Sequence, residues 1–299
     1  MGIYVEIPIV CGIDELWEKT QSPDLHERWD LRFTEIEYLP RIGEEPQEFL
    51  YRTRIGFGVA IEGKGESTGT KDDDRGARTS SLRFWSDDPK ALIKTGSGYW
   101  KYVPAGNVIR FFTWYDYETR FGLAGKVMDR CFFRPLLGWA TAWSFDRLRL
   151  WIERGISPEE SRDRTLLYSI ARGTVAFTWL YHGLFPKILR HDAIELDLVQ
   201  RIGTPASRLM MAVTAAGWGE VIFAFIMLML WRQKWPLWLT AMLMLAGIPV
   251  VAVSAPSYLS AAFNPITLNL GLAALSAIAL ISERGVPTAK RCRRTPTQS

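Results

Sequence analysis

Glu220 is the only charged residue between Arg208 and Arg232, and it sits in the stretch AAGWGEVIFAFIMLMLW (215–231). A carboxylate there needs a proton, a partner or water, because an ionised side chain at the centre of a bilayer costs roughly 2.5–3.5 kcal/mol on insertion scales. Ala212, Ala216 and Glu220 recur at i, i+4 and i+8, a face of small residues that lets a second helix come close. The polar side chains available to meet Glu220 are His182 and, in FNPITLNL (263–270), Asn264, Thr267 and Asn269. On a helix Asn264 and Thr267 share a face with Gly271, while Asn269 points elsewhere. Two readings stay open. The set is either hydrogen-bonding glue between helices, or a site for a ligand head group or for proton transfer.

The elements that would carry these residues are membrane helices. Segments 166–185, 209–231, 236–253 and 261–281 approach the roughly 20 apolar residues that a span requires. The link RQK and the stretch ERGVPTAKRCRR after the fourth segment are positive, whereas SAPSYLS has no charge, so four spans with both termini in the cytoplasm are expected. Arg172, inside the first segment, is expected to snorkel to the surface. Lys187, Arg190 and Arg201 are read as charges of the first link.

The preceding 165 residues differ in kind, being rich in charge and in Gly and Asp turns. Residues 3–11 read as a strand. Asp14 is placed to cap a helix and Pro23 to start a second one. Several strands follow, then an apolar-periodic stretch 124–155 with a kink expected at Pro135. Trp29, Phe112 and Trp114 are the candidate liners of a cavity in this half. In FFTWYDY, Phe112, Trp114 and Asp116 fall on one strand face, and Thr113, Tyr115 and Tyr117 on the other. The Trp- and Phe-rich helix with Arg130 and Arg134 is expected to pack on its sheet, and its composition also suits a membrane interface.

Other chemistries find no support. The net charge is only +4 and the basic residues form no aromatic-interleaved strip, which argues against nucleic-acid binding. Three scattered cysteines and three histidines have no metal-ligand spacing, so no metal is expected. GKGESTGT lacks phosphate-loop spacing, and Asp72–Asp74 lacks the Gly and Glu positions of a calcium loop. MGIYVEIPIV has no basic n-region, so no cleaved signal peptide is expected.

Two resemblances follow from these residues. WLYHGLFPKIL (179–189), AAGWGEV (215–221) and FNPITLNLGL (263–272) resemble the DoxX-like family of four-helix membrane proteins, some of which are subunits of quinone-linked oxidoreductases. IDELWEKTQSPDLHERWD (13–30) and the element order are similar to the START-like (SRPBCC) fold. That fold implies an apolar cavity between a curved sheet and a long last helix, with lipids or other hydrophobic molecules as ligands.

The expected chain is therefore α+β: a START-like domain at 1–155, a linker at 156–165, a DoxX-like bundle at 166–283 and a basic cytoplasmic tail at 284–299. It would be a multi-pass protein of the cell's inner membrane, its partners the bilayer and a hydrophobic small molecule. The function expected is binding, transfer or sensing of a lipid or quinone. The alternative is the membrane subunit of a quinone-linked oxidoreductase whose redox centre lies on a partner protein, since no cofactor-binding motif is recognisable in the chain.

Overall fold

In a computed structural model the described residues are 2–296 other than Ile42, Glu44, Phe57 and Phe263. Phe263, the first residue of the fourth-span motif, thus lies outside the described residues. The chain forms two compact units, residues Met1–Ser161 with Pro287–Ser299, and residues Arg162–Val286.

The first unit begins with β1 (Ile3–Ile9), α1 (Ile13–Gln21) and α2 (Pro23–Trp29). Six strands follow: β2 (Glu35–Tyr38), β3 (Glu48–Gly56), β4 (Val59–Asp72), β5 (Arg78–Trp85), β6 (Ile93–Ala105) and β7 (Val108–Thr119). All pair antiparallel in one sheet, in the order β1-β7-β6-β5-β4-β3-β2. Then come α3 (Gly122–Met128), a π-helical turn (Asp129–Phe133) and α4 (Arg134–Arg154). This is the START-like helix-grip arrangement. The break in the last helix falls at the π turn, just before Pro135, whose missing N–H cannot continue the preceding ladder. Pro23 opens α2 as expected, but α1 is capped by Gly12. Asp14 lies within its first turn and pairs with Arg78 instead.

Alternation decides which face of β1 is inside: Ile3, Val5, Ile7 and Ile9 are buried against α4 through Ala142, Phe145 and Leu148. The Phe111 and Phe145 rings stack 4.5 Å apart. Each Å² of apolar surface that this seam removes from water stabilises the unit by about 25 cal/mol.

The basic tail is not a free extension. Glu6 and Arg293 exchange both backbone hydrogen bonds at 2.9 Å, Thr288 N donates to Asp146, and Cys292 Sγ donates to the Ala142 carbonyl. Arg291 lies 3.7 Å from Asp146 and Arg293 lies 3.9 Å from Glu6. The basic residues answer buried carboxylates of the first unit, so the tail closes on that unit.

The second unit is helical, with most of α5 (Pro158–His182), a π-helical turn (Gly183–Leu189), α6 (Ala193–Arg201), α7 (Leu209–Met229), α8 (Trp235–Ser254) and α9 (Pro265–Ser282). Among the described residues three segments are long and apolar enough to cross a bilayer: Ala206–Met229, Trp235–Ser254 and Pro265–Gly285. The expected first span, 166–185, lies in α5 and the turn after it and is not among them.

Arg172 does not snorkel. Its guanidinium is fully buried and donates to the carbonyls of Met227 (2.9 and 3.1 Å), Leu230 (2.8 Å) and Gln233 (2.9 Å), and to the Tyr168 hydroxyl (3.0 Å). Tyr168 in turn donates to the Trp231 carbonyl. The last carbonyls of α7 have no partner within their own helix, and this cation supplies one at the negative end of its dipole.

Candidate functional site

Two places in the molecule gather the candidate chemistry, one in each unit.

In the helical unit the π turn folds back along α7, where Gly183 and Gly217 meet backbone to backbone. The turn thereby lays Lys187 beside Glu220. Lys187 Nζ is 3.0 and 3.1 Å from the two carboxylate oxygens of Glu220 and 3.4 Å from Glu195 on α6. All three side chains are largely shielded, at 12, 18 and 21% exposure for Lys187, Glu220 and Glu195. Lys187, read from sequence as a link charge, is therefore the partner of the carboxylate.

His182, the last residue of α5, is half-buried, and the charges of Lys187 and Glu195 act on it. The remaining expected partners do other work. Asn264 caps α9: its side-chain oxygen accepts from the Thr267 N–H at 3.0 Å, and the Thr267 hydroxyl donates back to the Asn264 carbonyl at 3.1 Å. The Asn269 amide lies against Gly247 of α8. Among the described residues no hydrogen bond or ion pair joins Asn264, Thr267 or Asn269 to Glu220.

In the first unit the sheet face that looks toward α4 carries Phe111, Thr113, Tyr115 and Tyr117 of β7, all buried. Phe112 and Trp114 occupy the opposite face, so they do not line the interior. Both pack against Tyr99, and Phe112 also meets Tyr4. Trp29 is inside but is core, at 0% exposure, with its indole N–H donating to the Lys19 carbonyl at 2.8 Å.

The interior face has a feature that no single strand announces. Phe49, Gly65, Phe84, Gly96 and Tyr117 are cross-strand neighbours in one continuous row over β3 to β7. Each glycine is covered by a ring. A Cβ on Gly65 would come within 2.2 Å of the Phe49 ring, and one on Gly96 within 2.4 Å of the Phe84 ring. Tyr51 covers Gly63 in the same way. Rings packed over glycines make an aromatic floor on this face, and Phe49, Tyr51 and Phe84 remain half-buried rather than sealed. The signal was present in sequence as two Gly-x-Gly pairs, Gly63/Gly65 and Gly96/Gly98, because a spacing of two puts both glycines on one face.

A polar cluster borders this floor. The Asp30 carboxylate, fully buried, accepts from Arg32 through two parallel bonds of 2.9 and 2.5 Å and lies 3.1 Å from His26 Nε2. Burial alone would raise the Asp30 carboxyl. Arg32 and His26 outweigh it and hold the group below the usual carboxylate range. The Arg32 guanidinium also lies 5.6 Å from the centre of the Tyr115 ring, whose hydroxyl is 2.8 Å from Thr141 Oγ1 on α4. At the other end Asp129 of the π turn accepts from Tyr117 (2.6 Å) and Arg134 (2.8 Å). Hydrogen-bonding groups at the ends of an aromatic surface can orient an amphipathic molecule. Among the described residues no group of His, Cys, Asp and Glu could hold a metal ion.

The sequence model of the DoxX-like family matches residues 176–277, which contain the Lys187–Glu220 pair. The membrane protein YndG of Bacillus subtilis is 48% identical over 182 residues, covering 60% of this chain and 68% of that protein. The chain belongs to the DoxX-like family. This DoxX-like protein is also similar, over its first half, to solved structures. A STAR-related lipid transfer protein from Xanthomonas axonopodis has 13% identity, covering 51% of this chain and 86% of that one, at a TM-score of 0.41. The Zhui aromatase/cyclase from Streptomyces sp. R1128 has 14% identity, covering 50% of this chain and 95% of that one, at a TM-score of 0.34. As a DoxX-like protein with three apolar helices, it is a membrane protein.

Proposed function

We propose that this protein binds a hydrophobic ligand, a lipid or a quinone, on the aromatic–glycine floor of its START-like unit and exchanges it with the membrane that its helices occupy. The observation that carries this reading is the row Phe49–Gly65–Phe84–Gly96–Tyr117, a half-open apolar surface bordered by the buried Asp30–Arg32 pair. A packed core needs no glycines under its rings. A surface that must receive a flat or flexible apolar molecule gains from them, with a few polar groups fixing the orientation.

The reading includes four membrane crossings. Both ends of the helical unit connect to the first unit, whose own C-terminal segment returns to β1 through the Glu6–Arg293 bridge. A chain that leaves and re-enters a unit on one side of a bilayer crosses an even number of times. Three apolar helices then require a fourth crossing, and α5, with Arg172 satisfied internally, supplies it. The positive link after α7 puts that side in the cytoplasm.

A second reading, a membrane subunit that serves quinone chemistry on a redox partner, is favoured by the Lys187–Glu220–Glu195 cluster with His182 beside it. Mass spectrometry of the small molecules that travel with the gently purified full chain separates the two. A lipid or quinone retained equally by wild type and Glu220→Gln supports the floor. A quinone lost from Glu220→Gln moves the site to the helices.

A further inference from the structure

The first unit presents six large apolar side chains along one continuous stretch. Through α3, the π turn and the start of α4, Phe121, Leu123, Val127, Met128, Phe132 and Leu136 are 55–78% exposed. From Ala140 to Leu150 α4 is almost wholly buried, so the exposed apolar part is a distinct end of the helix. Phe121 adopts φ 67°, a left-handed conformation that is unfavourable for a bulky residue. It is held there by the Gly125 N–H donating to its carbonyl, and a Cβ on Gly125 would come within 1.8 Å of the Arg120 carbonyl oxygen. Lys126 and Arg130 are exposed beside these side chains, whereas Asp129, the acidic residue of the stretch, is turned inward onto Tyr117 and Arg134. Six large apolar side chains exposed along one stretch mark an interaction face.

We infer that this face docks on an anionic lipid surface, its apolar side chains entering the headgroup region and Lys126 and Arg130 meeting lipid phosphates. Exposed basic residues with the acid withdrawn are complementary to such a surface. The unit is joined to the membrane helices at both Ser161 and Pro287, which keeps lipid at high effective concentration. The inference does not depend on the ligand proposed above.

Cys131 lies within the patch and is exposed, while Cys11 is partly covered and Cys292 buried. A maleimide-linked environment-sensitive fluorophore on Cys131 of the full chain would be read in vesicles of phosphatidylcholine, with and without phosphatidylglycerol, that carry spin-labelled acyl chains. The expected result is quenching at Cys131 that deepens with phosphatidylglycerol. Lys126→Gln and Arg130→Gln should each lower the docked-to-free ratio about fivefold. A fluorophore at Asp74→Cys in a Cys131→Ser background, on the β4–β5 turn, should stay unquenched. Absent quenching at Cys131, equal quenching at both positions, or self-quenching that reports a second copy on this face would each overturn the inference.

Discussion

Gly183 and Gly217 are in backbone contact: a Cβ on Gly183 would come within 2.6 Å of the Gly217 carbonyl oxygen, and one on Gly217 within 2.8 Å of the Gly183 carbonyl oxygen. The π turn can lie on α7 only because neither residue has a side chain, and that packing delivers Lys187 to Glu220. Gly217→Ala should push the turn away, at a cost of about 1–3 kcal/mol from overpacking. Thermal unfolding of the purified chain would read the loss, and an unchanged midpoint would show that the turn is not held there.

The Lys187–Glu220 pair gives a sharper test. Removing one member of a shielded ion pair typically costs about 3–5 kcal/mol, while replacing both with apolar residues of similar volume is often near neutral. Lys187→Met should therefore destabilise more than the double variant Lys187→Met/Glu220→Met. A double-mutant cycle followed by chemical unfolding measures this, and additive effects would mean the two charges do not interact.

The acid limb of stability should depend on Asp30. Its folded pKa is depressed, so its contribution is complete above the unfolded value of about 3.9 and is lost as pH falls through the folded value. Asp30→Asn should flatten the decline below about pH 4. At pH 7 it should cost about 3–5 kcal/mol, because Arg32 is left shielded without its counter-charge. Tryptophan fluorescence against pH follows both, and parallel acid curves for the two proteins would contradict the assignment.

The tail predicts a coupling across the length of the chain. Its pair of ladder bonds between Glu6 and Arg293 contributes about 0.5–1.5 kcal/mol per bond. Deleting residues 287–299 should lower the stability of the first unit by a few kcal/mol on this basis, and hydrogen exchange of the β1 amides should rise. Unchanged exchange at β1 would mean the tail is not docked.

Thiol reactivity should follow burial. Burial, with Glu15 and Glu153 adding to it, pushes the Cys11 thiol up to about 12, and burial also raises Cys292. Neither forms thiolate near pH 8, so a maleimide should label Cys131 first. Equal labelling of Cys11 by peptide mass spectrometry would contradict this.

The fold was legible where the sequence pattern has contrast. Gly and Asp turns between alternating strands marked the sheet, and unbroken apolar runs marked α7, α8 and α9. It failed where contrast vanishes. In FFTWYDY both strand faces carry aromatics, so alternation alone could not choose, and Phe112 and Trp114 were placed inside when Phe111, Tyr115 and Tyr117 are. The deciding information lies on neighbouring strands, in glycines that must sit under rings. Arg172 and Lys187 were misplaced for a related reason. Both were read against lipid and water, whereas a helix end and a carboxylate of the same unit supply their partners. A charge's partner depends on which segment folds back on which, and local spacing does not contain that.

The most direct measurement of the central claim is photo-crosslinking of the full chain in membranes with a diazirine-bearing acyl or quinone probe, followed by peptide mapping. Adducts should fall on β3 to β7, at Phe49, Tyr51, Phe84 or Tyr117, and diminish in Phe84→Asp. Adducts confined to residues 162–286, with none on the sheet, would contradict a ligand-binding floor in the START-like unit.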